Sequence, residues 1–508
     1  MVLAPEREVT DKPKRTRSDV RVIIIGAGAA GMMMAIKLKE AGFTNFVIYE
    51  KAQEVGGTWR ENIYPGVGCD VPAHHYNYSF EHNPSWSSRL ASGSEIQAYL
   101  LGVAEKYQLR DNIVFGHAVK EGRFDGRKWH IVTDQGRADS AEFLVSATGP
   151  LHIPRLPDIE GLQQFQGVQF HSARWPKELS LTGKRVGILG NGSSGVQITS
   201  AIAKQGVDLT VFMRTPQWVF PLANREYGSV ERRIVRAVPW IGRKAGAFFQ
   251  WFFEHVFAEA VIRPGWQRRF LSMMCRRNLA SIKNPSLREK LTPDFQPLCK
   301  RMVMSADYYP ALLRPNVKVV REAIARAVPD GIVTDDGVTH PLDVLVMATG
   351  FWTRAYGRPI ELVNEAGYSL ADDWDREVRA HLSVHVPNFP NYMIVGGPLS
   401  PRGNFSAIAY SEAIVDHIVR FIDLCFEQRI TSTSAKDEAY RLFKADNSAR
   451  MPDTIWVTGC QSWYLNEKGE PENWTGTPDE FRELLREPDL DDFIVRRADA
   501  RTESREQA

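Results

Sequence analysis

Cysteine is scarce and unpatterned. The 508-residue chain carries five, with no Cys-x-x-Cys and no regular spacing. That predicts neither a disulfide framework nor a metal site, and the usage fits a reducing cytoplasm. Charge of one sign is missing too: 63 Lys and Arg stand against 61 Asp and Glu. Such a balance predicts neither nucleic acid nor an anionic membrane as partner. The first 18 residues are polar and mixed in charge, without the apolar centre of a signal peptide. No low-complexity repeat is present. Nor is there a long uncharged apolar run. The most apolar stretch, 245–262, carries Glu254, His255 and Glu259, so no stable membrane insertion is expected. It reads as a core or domain-packing helix, with a lipid- or substrate-facing surface helix as the alternative.

What the chain does have is two glycine-rich turns, Gly26-Ala-Gly28-Ala-Ala-Gly31 and Gly190-Asn-Gly192-Ser193-Ser194-Gly195. Each follows a short apolar run and opens a helix-like stretch. Such a strand–turn–helix lets backbone N–H groups meet a pyrophosphate, so two dinucleotides are expected. The residue at the same offset beyond each turn tells the sites apart. After the first, Phe46-Val-Ile-Tyr49 ends at Glu50, a carboxylate able to accept from a ribose diol. After the second, Leu209-Thr-Val-Phe-Met213 ends at Arg214, a guanidinium suited to a 2′-phosphate. The first site therefore reads as the adenosine end of FAD or NAD and the second as NADPH. FAD with NADPH is the natural pair, because one passes hydride to the other. The missing Cys-x-x-Cys excludes the disulfide reductases built on this double layout.

The length calls for two or three domains. The fold class is α/β: two Rossmann-like dinucleotide-binding domains, the NADP domain inserted into the FAD domain, plus a helical insertion. The boundaries follow the punctuation of the sequence. Residues 18–152 and 385–495 make the FAD domain, 153–222 and 330–384 the NADP domain, and 223–329 the helical insertion. Residues 1–17 and 496–508 are flexible tails. Two Ala-Thr-Gly endings, at Gly149 and Gly350, mirror each other as the last strands of the two domains.

Between the turns lie two longer patterns. One is Phe165-Gln-Gly167-Val-Gln-Phe-His171-Ser-Ala-Arg-Trp175-Pro176. The other is Gly57-Thr58-Trp59-Arg-Glu-Asn-Ile-Tyr64-Pro65-Gly66-Val-Gly-Cys-Asp70. In this order around the turns, over nearly all of residues 20–480, they resemble the type I Baeyer–Villiger monooxygenases. The resemblance implies an FAD-dependent, NADPH-consuming enzyme. It would insert one oxygen of O2 beside a ketone carbonyl through a C4a-peroxyflavin and release an ester or lactone. It places a mobile active-site arginine at Arg301, with Asp70 holding it, and a 2′-phosphate-binding lysine at Lys300 beside Arg214 and Thr215. Trp59 and Thr58 would lie against the isoalloxazine, with Tyr76 on the flavin side. Trp463, in Ser462-Trp463-Tyr464, would reach NADP and the substrate pocket. His171 and Trp175 read as a packing pair at the domain junction. The polar Trp59-Arg-Glu-Asn and Ala73-His74-His75 depart from several ketone oxygenases, so substrate range does not carry over. The sister flavin monooxygenases, which oxidise nitrogen or sulfur, share the turns and remain the alternative. A redox-inactive, nucleotide-sensing or membrane-associated flavoprotein is the remaining one.

Overall fold

Val22–Ile25 is buried at every position, as a strand covered on both faces must be. In the computed structural model, which describes residues 15–403, 406–460 and 462–498, it lies at the centre of a five-stranded parallel sheet. The order is Tyr392–Ile394, Phe143–Ser146, Val22–Ile25, Phe46–Glu50, Ile113–Phe115. Parallel neighbours need a crossover, and the helix Ala29–Glu40 supplies it directly after the first glycine turn. The helix Ala407–Glu427 packs on Ala29–Glu40, so the C-terminal third of the chain returns to complete the first domain.

The second sheet repeats the plan. Its order is Val317–Val320, Asp208–Phe212, Arg185–Leu189, Val344–Met347, Val168–His171, again all parallel. The strand before each glycine turn is the middle one of five. Both turns therefore open at the carboxyl edge of a sheet, where α/β proteins bind nucleotides.

Four expectations change. The helical insertion is shorter than 223–329. Its helices run from Ser229–Ala237 to Pro285–Lys290, while Val317–Val320 belongs to the second sheet and Ile324–Val328 to a three-stranded sheet. Glu361–Val363 leaves the 330–384 segment and pairs with Val119–Phe124 beside the first domain. Phe493–Arg497 is a strand paired with Ile430–Ala435, and Arg17 bonds Asp423, so the tails start nearer the ends of the chain. The rest of both tails, 1–14 and 499–508, lies outside the described residues. Finally, Cys299 and Cys460 form a disulfide, against the expectation drawn from cysteine spacing. A pair separated by 161 residues leaves no local pattern to read.

Candidate active site

The three glycines of each turn answer to three different constraints. Gly26 and Gly190 hold φ of +102° and +101°, the left-handed region that favours glycine. Gly31 and Gly195 sit where the helix presses on the turn. A Cβ there would come within 1.9 Å of Gly26 O and 2.2 Å of Gly190 O. Gly28 and Gly192 are different. The nearest atom to a Gly28 Cβ is 3.7 Å away, and Gly192 meets nothing within 4 Å. These middle positions leave open space in front of a helix start. Neither helix has a side-chain cap, so the first N–H groups face that space. The residues present fit two pyrophosphates.

Glu50 is buried at the end of its strand. One carboxylate oxygen accepts from Ala27 N–H at 2.8 Å and the other from Ala52 N–H at 3.0 Å. The acidic group is thus fixed against the first turn. Arg214 is exposed at the matching place in the second domain. Thr215 follows it, and its carbonyl accepts from the Asn191 amide of the second turn at 3.0 Å. Lys300 comes from far along the chain. Burial lowers its pKa first, and the charge of Arg214 lowers it further, while Asp294 opposes both. The two cations therefore share one neighbourhood, as a bound dianion requires.

The segment 57–70 ties these parts together. A Cβ on Gly57 would lie 3.1 Å from Gly28 Cα, so Gly57 and Thr58 border the first turn. Trp59 Nε1 donates to the Tyr76 hydroxyl at 3.2 Å, and the two rings meet edge-on. Tyr64 reaches the other domain: its hydroxyl lies 3.0 Å from Ser194 Oγ and donates to Gln197 at 2.9 Å. Gly66 packs against the same helix, and the Gln197 Nε2 amide donates back to Gly68 O at 2.9 Å. At its end, Asp70 accepts from the Arg301 guanidinium with both oxygens, at 2.9 and 3.0 Å. Asp70 raises the Arg301 pKa above its already high value, more than burial lowers it.

Arg301 and Asp70 line a small cavity with Lys300, Phe253, Phe257, Val261 and Tyr464. Tyr464 is the loop residue that faces it. Its hydroxyl is pushed up to about 12 by burial, with Arg301 pulling the other way. Trp463 instead packs on Tyr464 at an interplanar angle of 50°, with ring centroids 4.3 Å apart, and lies near the Arg402 guanidinium. His171 bonds Gly350 O at 2.9 Å and takes a hydrogen bond from Ala173 N–H, while Trp175 packs on Phe170. These are packing contacts within the second domain. Sequence reasoning quoted Tyr64 and Tyr464 inside their motifs without giving either a contact. Their spacing from the turns was the available signal, but the partners lie in other segments.

Fold and site together define a flavoprotein of the double-dinucleotide class. The profile of the pyridine nucleotide-disulphide oxidoreductases matches residues 23–236. An uncharacterised monooxygenase of Mycobacterium tuberculosis is 43% identical over 96% of this chain and 98% of its own. A Baeyer-Villiger monooxygenase of Streptomyces coelicolor is 37% identical over 95% of this chain and 94% of its own. Among solved structures, OTEMO in complex with FAD and NADP superposes with a TM-score of 0.83 at 26% identity. That match covers 94% of this chain and 99% of OTEMO. The chain belongs to the Baeyer–Villiger monooxygenase family.

Proposed function

We propose that this enzyme consumes NADPH and O2 to insert one oxygen atom beside the carbonyl of an apolar ketone, giving an ester or lactone and water. The observation that carries the reading is one segment, 57–70. It borders the first glycine turn, bonds the helix of the second and ends on the carboxylate that holds Arg301. Bound FAD, reduced by NADPH, supplies the activated dioxygen.

The side chains do the rest. Arg301 keeps a fixed positive charge at the cavity wall, where negative charge develops as a carbonyl becomes tetrahedral. An arginine cannot lose its proton to the reacting groups, so the charge persists through the cycle. Asp70 is a positioning residue that sets the plane of the guanidinium. Thr58, Trp59 and Tyr76 form the flavin side of the site. Arg214, Thr215 and Lys300 grip the 2′-phosphate, and Trp463 backs Tyr464 on the loop that closes the cavity. Phe253, Phe257 and Val261 exclude water and favour an apolar substrate.

Turnover of linear, cyclic, aryl and steroidal ketones under ¹⁸O₂, read by mass, tests the reaction. Ester or lactone carrying one labelled oxygen is expected from at least one class. Oxidation of amines or sulfides with no ester from any ketone would assign the chain to the sister chemistry.

A further inference from the structure

The near-balance of charge over the whole chain hides a local excess. Within Ser229–Ala237 and Pro239–Phe252, Arg232, Arg233, Arg236, Arg243 and Lys244 are all exposed and make no ion pair among the described residues. Three acidic groups within or just after these helices are already used. Glu231 pairs with Arg225, Glu254 is buried against Arg482, and Glu259 pairs with Arg263.

The same segment concentrates exposed apolar side chains. Trp240, Phe248 and Trp251 are 62%, 58% and 52% exposed. Their spacing, with Lys244 between, is that of one helical stripe. Val230 and Ile234 repeat the pattern on the preceding helix. Trp266, Phe270 and Met273 repeat it on Trp266–Ala280. The stripes are neighbours: Trp251 stacks on His255, whose carbonyl accepts from Gln267. The opposite face of Pro239–Phe252 is closely packed. A Cβ on Gly246 would lie 2.2 Å from His74 O, so the helix cannot turn its aromatics inward.

We infer that this helical face is a peripheral docking surface for an anionic phospholipid bilayer. Aromatic and aliphatic side chains would enter the headgroup boundary, and the flanking arginines would meet lipid phosphates. Charge decides against a second copy of this chain as the occupant, because a symmetric contact would bring the same unpaired arginines together. A nucleic acid would answer the arginines and leave the contiguous apolar stripe wet. Docking also has a use. The helix continues through Phe253–Ala258 into Glu259–Ile262, and its inner face lines the cavity with Phe253, Phe257 and Val261. An apolar ketone dissolved in the bilayer would be delivered to the far side of one helix. This surface stands whether or not the proposed oxygenation is correct.

The test is co-sedimentation of the full, FAD-loaded chain with vesicles of phosphatidylcholine alone or mixed with phosphatidylglycerol, at low and high salt. Two variants accompany it: Trp240→Ser/Phe248→Ser/Trp251→Ser, and Arg232→Glu/Arg233→Glu/Arg236→Glu. None of these residues lines the cavity, so flavin absorbance and NADPH oxidation should match the native protein and report intact folding. Native protein should bind the anionic vesicles at least tenfold better than the neutral ones, and salt should weaken the binding. The aromatic variant should lose at least tenfold, and the charge-reversed variant should lose the preference for anionic lipid. Native protein left in the supernatant with anionic vesicles at low salt would overturn the proposal. So would variants that bind unchanged, or variants that merely convert a dimer to a monomer.

Discussion

Gly28 shows how a single position separates structural from ligand demands. Its neighbours Gly26 and Gly31 are required by the fold itself, through φ of +102° and a 1.9 Å contact, whereas a Cβ at Gly28 would meet only Gly57 Cα, at an ordinary contact distance of 3.7 Å. Gly28→Val should therefore fold and lose FAD, because its side chain would occupy the place of the pyrophosphate. A purified variant that keeps its yellow colour at full stoichiometry would contradict the first site. Arg214 carries the matching argument for the second. Its removal takes away a charge-assisted bond to the 2′-phosphate, worth roughly 1.5–3 kcal/mol. Arg214→Ala should raise KM for NADPH about tenfold or more and leave NADH nearly unchanged. Equal use of both coenzymes by the native enzyme would refute the assignment. At this scale spacing along the chain is enough to single out Glu50 and Arg214, and the structure puts Glu50 at the end of the strand that follows its glycine turn and Arg214 just beyond the end of its own. The sequence was silent on Tyr64 and Tyr464, whose partners come from distant segments.

Elements show a different limit. Strands such as Val22–Ile25 and the one containing residues 186–189 declare themselves by short apolar runs before a glycine turn, so both nucleotide-binding sheets could be read in advance. The end of the helical insertion could not. Val317–Val320 looks like any short strand, and only pairing with Asp208–Phe212 places it in the second sheet. The Cys299–Cys460 bridge was hidden for the same reason. It fastens the irregular segment leading to Arg301 to the loop bearing Tyr464. In the chain-entropy view, closing a loop of this size stabilises the fold by up to about 5 kcal/mol. Dithiol treatment, or Cys460→Ser, should free the loop. Limited proteolysis should then cut within 456–465, and ester yield per NADPH should fall. Peptide mapping that finds both thiols free in the native enzyme would contradict the bridge.

For the whole molecule, buried histidines set the response to acid. His74, His75, His152 and His417 are each pushed down to about 4, chiefly by burial. His74 stacks on His82 and faces Tyr227 and Glu231, while Arg482 opposes protonation of His75. A free histidine titrates near 6.5. Between that value and about 4 the unfolded chain binds protons that the folded chain refuses, so stability falls as pH drops through this window. Glu412, Asp416 and Glu472, raised by burial, act in the opposite sense and soften the loss. The Tm of the FAD-loaded protein should drop by several degrees from pH 7.5 to pH 5. A rise would contradict the buried, neutral state of these histidines. The central claim joins both domains and the cavity that Arg301 lines: NADPH oxidation is coupled to oxygen transfer through Arg301. The most direct measurement is ester formed beside NADPH consumed, for the native enzyme and Arg301→Ala. Native enzyme should approach one ester per NADPH. Arg301→Ala should still bind NADPH through Arg214 and Lys300, with ester formation down by about 10²–10³ and any remaining NADPH oxidation uncoupled. Near-native coupling in Arg301→Ala would contradict the account.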